Sequence, residues 1–277
     1  MKGNMLMFDK LFPPKQMELP NGKKVMEKRS PIPFVILVLF IALIYSIEVT
    51  DFELKILFER GIQFFIIVLE MIPPTWEYLP HLWQPLMDTI KMSLLGSVLG
   101  SVVAVPAAYL AASNLIQRKW IVNVTKILLS ILRTLPTLVT ALIATFIFGL
   151  GTLAGTVAIF LFTLAYVGKL LYEQIENADM GAFEAMESIG MTRVQAFRYA
   201  IFPQVLPNFL STSLFCFEGN VRYAAILGYV GAGGIGLLLN ERIGWRDYAS
   251  VGMILLMLAI TVFLIETVSE HFRKRLM

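Results

Sequence analysis

The sequence contains very few of the residues that build catalytic and metal sites. It has one cysteine, Cys216, and two histidines, His81 and His271, which lie far apart in the chain. A lone cysteine forms no internal disulfide, and this set supplies neither a Cys/His metal cluster nor a Cys/His catalytic pair. We therefore predict no catalytic residue, no metal and no cofactor in this chain.

Charged residues are scarce as well. Only 16% of the 277 residues are charged and 57% are apolar, whereas an ordinary globular domain carries about 25% charged residues. The net charge of +3 is small, and the basic residues gather at the chain ends and in one loop. That distribution is a membrane-topology signal rather than a nucleic-acid-binding surface, so no nucleic acid partner is predicted.

Long apolar runs take the place of the missing charges. A helix needs roughly 20 mostly apolar residues to cross a bilayer, and the runs predict an all-α, polytopic membrane protein with about six transmembrane helices. The predicted spans are 33–47 (extending as far as 50), 89–112, 127–149, 153–171, 205–227 and 249–268. The stretch 54–72 is interrupted by Glu59, Arg60 and Glu70, and we expect it to lie at the interface or to re-enter the membrane without crossing.

The positions of Lys and Arg predict the orientation of the spans. The N-terminal tail, the C-terminal tail and the loop holding Arg118, Lys119 and Lys126 are basic, whereas residues 48–88 are rich in acids. Because basic short loops stay inside, both termini are predicted to be cytoplasmic. The resulting organisation is a cytoplasmic tail at 1–32, a transmembrane domain at 33–270 with a cytoplasmic loop at 173–203, and a tail at 271–277.

The second span carries two rows of small residues. Ser93, Ser97 and Ser101 form one row, and Gly96 and Gly100 begin another that continues to Ala104. Small residues at every fourth position allow helix backbones to approach closely within lipid. We therefore expect this span to pack tightly against a neighbouring helix.

The loop after the fourth span reads as two short helices joined at Gly190, where a missing side chain permits a left-handed turn. Their apolar side chains form a face that is too large to be left in water; they are Phe183, Met186, Ile189, Val194 and Phe197. Two explanations stay open at this point. The face folds onto the membrane surface or onto its own bundle, or it binds a partner protein.

The same loop contains a recognisable pattern, E-A-x-x-x-x-G followed after nine residues by I-x-L-P. The matching residues are Glu184, Ala185, Gly190 and Pro203. The apolar departures are Met186, Ala200 and Phe202. The pattern resembles inner-membrane components of binding-protein-dependent ABC importers. The resemblance implies a type I ABC importer permease fold and a loop that docks on ABC ATPase subunits. It also implies an extracytoplasmic substrate-binding protein and a second copy of the permease as partners, in contact with membrane lipid in the cell membrane of a prokaryote.

Further segments resemble the phosphonate-type permeases within that group. They are residues 71–76, 133–138, 149–155, 217–222 and 226–236, and the similarity covers about residues 34–273. Gly219 stands where a leucine is expected, which loosens local packing and removes no charge. This resemblance implies transport of phosphonate, phosphite or phosphate, without deciding among them.

The glycines at 231–236 also fit the dinucleotide pattern G-x-G-x-x-G. That fingerprint requires a βαβ unit and an acid about 20 residues further on, and neither is present, since Asp247 comes too soon. Tight turns or close helix packing explain these glycines better. The chain also lacks the P-loop pattern G-x-x-x-x-G-K-[ST], so an energy-coupled role needs a separate ATPase.

A few polar residues fall inside the predicted spans and are candidates for the substrate path. They are Arg133, Glu218, Asn220 and Arg222. Ionisable residues within spans usually face a cavity or a partner, and Glu218 can pair with Arg222 along one helix face. We expect Arg222 near the outer mouth and Arg133 near the cytoplasmic exit, with a purely structural Glu218–Arg222 pair as the alternative. The rival functions are a permease for another small solute, a membrane-embedded enzyme and a stand-alone secondary carrier.

Overall fold

A computed structural model describes residues 16–18, 22, 24–26 and 32–276. The chain divides into two units, residues 1–64 and residues 65–277. In the first unit, strands β1 (Gln16–Glu18) and β2 (Lys24–Met26) pair antiparallel, with Met17 opposite Val25. The rest of the predicted tail up to residue 31 lies outside the described residues. Helix α1 covers Ile32–Val49, close to the predicted first span.

Helix α2 covers Leu54–Glu70 and crosses the boundary between the two units. The remaining helices are α3 (Leu79–Ala111), α4 (Lys119–Thr134), α5 (Thr137–Phe148), α6 (Thr152–Glu176), α7 (Gly181–Ser188), α8 (Arg193–Ala196), α9 (Phe202–Leu227), α10 (Ile235–Gly244) and α11 (Tyr248–Leu276). Within the described part of the chain, five helical stretches are long and apolar enough to cross a membrane, or six if the bent pair α4–α5 counts as one span. This agrees with the predicted number of about six. Helix α2 is not among these stretches.

The second predicted span is longer than expected. Helix α3 has 33 residues and begins at Leu79 rather than at 89, with Pro80 in its first turn and Pro85 inside it. Proline is tolerated at the start of a helix because the first N–H groups have no partner within the helix. Polar residues such as Asp88 made these early turns look like a loop in the sequence.

The third predicted span, at 127–149, is broken into two helices and starts earlier, at Lys119. The chain bends by 92° between α4 and α5. Leu135 has an extended backbone (φ −74°, ψ 123°) and Pro136 follows it. A residue before proline is pushed away from the helical conformation, and proline has no N–H to continue the helix. The break therefore follows directly from the Leu135–Pro136 pair.

The small residues of α3 allow it to lie directly against α6. A side chain added at Gly96 would come within 2.7 Å of Ile159 Cγ2, and one added at Gly100 within 2.7 Å of Thr163 Cβ. The serine row beside them is buried as well, with Ser93, Ser97 and Ser101 at 0%, 2% and 6% exposure. The predicted close helix packing is confirmed.

The glycine segment after α9 forms turns and a close backbone contact. Gly231, Gly233 and Gly234 all have positive φ, at 79°, 76° and 71°. Gly228 and Gly236 pack against each other so closely that a Cβ on either one would overlap backbone atoms. The preference for turns and helix packing over a nucleotide-binding motif is confirmed.

Two predicted boundaries in the C-terminal half shift. Helix α6 continues to Glu176, so the connecting loop starts later than residue 173. Helix α11 continues to Leu276, so most of the segment predicted as a tail at 271–277 is helical.

Candidate functional site

The segment between α6 and α9 is compact and ordered by its own side chains. Helix α7 ends in a turn in which Gly190 has φ 95°, a conformation that glycine adopts without steric cost. Thr192 then starts α8 with a capping box, in which its side chain accepts from Gln195 N and Gln195 Oε1 accepts from Thr192 N. The predicted two helices joined at Gly190 are confirmed. We call residues 181–196 the coupling segment.

The apolar side chains of this region divide between two directions. Phe183 and Phe197 are buried, at 2% and 7% exposure, in a cluster that includes Leu115 and Leu171. Ile189 and Val194 are 75% and 62% exposed. One half of the face therefore packs on the bundle, as the first explanation predicts, whereas the other half is exposed and binding of a partner there stays a prediction.

The residues of the E-A-x-x-x-x-G pattern lie on the free half. Glu184, Ala185 and Gly190 are exposed, and no hydrogen bond or ion pair of the Glu184 carboxylate occurs among the described residues. Pro203 is exposed at the second position of α9. The structure therefore brings Glu184, Ala185 and Gly190 together on one accessible surface and places Pro203 at the start of the next long helix.

Arg193 fixes the coupling segment to the bundle. Its Nη1 donates to the carbonyl of Leu115, in the connection between α3 and α4, over 2.8 Å. Its Nε lies 2.9 Å from the Glu187 carboxylate in α7. The Arg193 side chain thus joins α8 to α7 and to the connection that follows α3. Sequence reasoning missed this role because Leu115 and Arg193 are 78 residues apart in the chain.

The coupling segment continues into α9 without a loop. A π-helical turn, Phe197–Ile201, connects α8 to α9, and the N–H of Phe202 bonds to the carbonyl of Phe197, five residues earlier. Pro203 has no N–H with which to restore the four-residue pattern at this point. The backbone is therefore helical without interruption from α8 into α9, the helix that carries Glu218, Asn220 and Arg222.

Glu218 and Arg222 belong to a network of four charges. Arg222 Nη2 lies 2.7 Å from Glu218 Oε1 and 3.2 Å from Glu266 Oε2. Arg273 Nη2 lies 3.5 Å from the other Glu218 oxygen. The predicted Glu218–Arg222 pair is confirmed, but Glu266 and Arg273 come from the C-terminal half of α11. The position of Arg222 at the outer mouth stays a prediction.

Asn220 is completely buried and connects three helices. Its Nδ2 donates to Ser97 Oγ on α3 and to Thr163 Oγ1 on α6, both over 2.8 Å, while Ser93 Oγ donates to its backbone carbonyl. Its Oδ1 has no hydrogen-bond partner among the described residues. Asn220 thus holds three helices together in this structure, and its place on the substrate path stays a prediction.

Arg133 lies apart from the charge network, on the last turn of α4. It lines a cavity of about 110 Å³ together with Lys126 and Ser130 of α4 and Lys169 and Tyr172 of α6. Arg222 lines a different cavity, together with Phe162, Phe215 and Tyr223. The positions 126, 130 and 133 recur at helical spacing, and this signal could have identified the group from the sequence.

Comparison with known proteins gives a consistent family. Residues 104–277 match the family model described as binding-protein-dependent transport system inner membrane component. The chain is 34% identical over 205 residues to a phosphite transport system permease protein, PtxC, of Stutzerimonas stutzeri, a match that covers 74% of each chain. It is 31% identical over 220 residues to a phosphate-import permease protein, PhnE, of Mycolicibacterium smegmatis, covering 79% of this chain and 41% of that one.

Solved structures agree on the fold. The chain superimposes on a subunit of the inward-facing MetNI methionine ABC transporter with a TM-score of 0.65 at 20% identity, covering 73% of this chain and 99% of that one. An amino acid ABC transporter solved with histidines gives a TM-score of 0.60 at 24% identity, with 72% and 95% covered. These matches confirm the type I importer permease fold. The chain therefore belongs to the family of binding-protein-dependent transport system inner membrane components, and it is a transport subunit rather than an enzyme.

Proposed function

We propose that this chain is the permease through which an ATP-driven importer moves a small phosphorus oxyanion into the cell. Two observations together support the proposal. A phosphite transport permease is similar to this chain over about three quarters of its length, and the exposed coupling segment of this chain carries the family pattern. The family implies a separate ATPase and a substrate-binding protein as partners.

The substrate class rests on several relatives. Proteins named as phosphite, phosphate and phosphonate transport permeases share 30% to 36% identity with this chain. A carnitine transport permease of Listeria monocytogenes is also similar, at 28% over 145 residues. The lower identity and shorter match favour the phosphorus oxyanion over an organic zwitterion.

The contacts of the coupling segment suggest how ATPase closure reaches the membrane. Glu184, Ile189 and Val194 form the exposed side on which an ATPase subunit docks. Phe183 and Phe197 pack into the bundle from the other side, and Arg193 ties the segment to the end of α3. Motion of the docked segment then reaches α3 through Arg193 and α9 through the π-helical turn. A second copy of the chain completes the translocation path at the dimer axis.

Reconstitution tests the proposal. The permease, its ATPase and its binding protein are placed in liposomes, and uptake of radiolabelled phosphate, phosphite, methylphosphonate and carnitine is compared. We expect ATP-dependent uptake of at least one phosphorus oxyanion and no uptake of carnitine. Uptake of carnitine alone would contradict the substrate class, and uptake without ATPase would favour a stand-alone carrier.

Variants of the coupling segment test the docking role. Glu184→Lys reverses the charge of an unpaired surface carboxylate, and Gly190→Asp places a side chain at φ 95° on the docking surface. Both variants are expected to insert at normal levels and to lose uptake. Glu241→Lys, the same charge reversal at an exposed residue of α10, is the control and should transport normally. Normal uptake by either coupling variant would remove the docking role.

A further inference from the structure

The cavity between α4 and α6 is lined mainly by hydrogen-bond donors. The polar residues on its wall are Lys126, Ser130, Arg133, Lys169 and Tyr172, with Leu129 at its base. Lysine and arginine can only donate, and the hydroxyls of serine and tyrosine can donate as well. No carboxylate lines this cavity. Such a wall is suited to an anion.

The charge balance around the cavity favours an anion too. Lys126 Nζ pairs with Glu176 Oε1 over 2.8 Å, and Lys169 Nζ pairs with Glu173 Oε1 over 3.3 Å. The guanidinium of Arg133 has no hydrogen bond or ion pair among the described residues. Three cations therefore face two carboxylates, and the excess positive charge belongs to Arg133.

Three donors on the cavity wall have no partner within the part of the chain that the structure describes. They are the Arg133 guanidinium, the Ser130 hydroxyl and the Tyr172 hydroxyl. Arginine binds the oxygens of phosphate-type groups in pairs through its planar fork and stays charged. Lysine adds point charges, and the two hydroxyls can complete a shell around a tetrahedral ion.

The size of the cavity limits the ligand. At about 30 Å³ for each water molecule in the liquid, a volume of about 110 Å³ holds on the order of three waters. That is the scale of one tetrahedral oxyanion rather than of a larger metabolite. Ser130 and Arg133 are both exposed, so the cavity is open on their side. A larger molecule could place its phosphate group in the cavity while the rest of it stays outside.

We propose that this cavity, formed by Lys126, Arg133 and Lys169, is a binding site for a phosphate-type oxyanion. The oxyanion has two possible sources, the headgroup of an anionic phospholipid and a free phosphate ion. The cavity lies on the last turns of α6, near the coupling segment, and the opposite side of α4 exposes Trp120, Ile127 and Ile131. The inference does not depend on the transported solute, because a lipid or a free ion would occupy the site in either case.

Thermal stability of the purified full-length chain tests the site. Wild type, Arg133→Gln and Arg118→Gln are delipidated in a neutral detergent and titrated separately with inorganic phosphate and with short-chain phosphatidylglycerol at constant ionic strength. Arg118→Gln is the matched control, because Arg118 starts the same helix, is exposed and does not line the cavity. We expect saturable stabilisation of wild type and of the control, with apparent affinity weakened roughly tenfold or more in Arg133→Gln, as for loss of a charged hydrogen bond.

The two titrations distinguish the sources. Stabilisation by inorganic phosphate that depends on Arg133 identifies a free-ion site, and Arg133-dependent stabilisation by phosphatidylglycerol alone identifies a lipid headgroup site. Equal responses of wild type and Arg133→Gln to both ligands would overturn the proposal. Lys169→Gln provides a second variant if Arg133→Gln does not fold, and Arg133→Lys should restore part of the affinity.

Discussion

At the scale of single residues, Glu218 is the most deeply buried charged side chain among the described residues. Its side chain is only 5% exposed, and it is shared by Arg222 of its own helix and Arg273 of α11. Arg222 and Glu266 are about half exposed, at 48% and 51%. The four charges sum to zero, so the network can stabilise the α9–α11 contact without any bound anion.

We predict that Glu218→Gln destabilises the chain more than Arg222→Gln does. Removing Glu218 deprives two arginines of the carboxylate that they share and leaves two cations with Glu266 as the remaining carboxylate of the network. Removing Arg222 leaves Glu218 bound to Arg273 and leaves only the solvated Glu266 unpaired. Thermal melting of the purified variants measures the difference.

Uptake by the same variants separates a structural role from a transport role. If Arg222→Gln melts like wild type and still abolishes uptake, Arg222 acts on the substrate path. If it melts as early as Glu218→Gln, and the double variant recovers stability, the pair is structural and the anion-path role of Arg222 is removed.

At the scale of elements, the close contact between the end of α9 and α10 requires glycine, which has no side chain, at positions 228 and 236. A Cβ on Gly236 would overlap the carbonyl of Ala225 and approach Gly228 Cα to 2.9 Å. We predict that Gly236→Ala destabilises the chain by about 1–3 kcal/mol, the usual cost of overpacking. Gly244→Ala is the control in the same helix, because its Cβ would meet nothing within 4 Å. Similar melting temperatures for the two variants would show that the backbones can separate at no cost.

The coupling segment depends on one anchor. We predict that Arg193→Ala leaves ATP hydrolysis by the assembled importer largely intact but lowers uptake, because α8 loses its bond to Leu115 and its ion pair with Glu187. The ratio of solute imported to ATP hydrolysed is the measurement. Arg198→Ala is the control, since Arg198 is an exposed arginine whose described contact is with the ring of its neighbour Tyr199. An unchanged ratio in Arg193→Ala would mean that force reaches the bundle by another route.

Helix content and the two short helices of the coupling segment could be predicted from the sequence because they depend on local patterns. Apolar runs located the spans, and Gly190 located the turn in the coupling segment. The bend at Leu135–Pro136 was missed because the apolar run continues through it, although the proline was visible. The contact of Glu218 with Arg273 and the bonds of Asn220 to Ser97 and Thr163 could not be predicted, since these residues come close only after the helices pack.

At the scale of the whole molecule, the tryptophans mark two levels of the membrane domain. Trp76, Trp83 and Trp245 are exposed near the start of α3 and the end of α10, and Trp120 is exposed at the start of α4. Tryptophan is enriched at both interfaces of a membrane. Helix α3 joins the two levels, and its 33 residues extend about 50 Å at 1.5 Å per residue, which is long enough to cross a bilayer.

We predict that α3 crosses the membrane from outside to inside, that α2 does not cross, and that both termini are cytoplasmic. Cys216 is buried and is replaced by alanine to give a background without reactive thiols. Single cysteines are then introduced as Lys10→Cys, Glu77→Cys, Arg118→Cys and Lys274→Cys and treated with a membrane-impermeant maleimide on intact cells. Only position 77 should react, and the other three should react after permeabilisation. A crossing by α2 would place positions 10 and 77 on the same side, so equal labelling at these two positions would contradict the prediction that α2 does not cross. Equal labelling at positions 77 and 118 would contradict the crossing by α3.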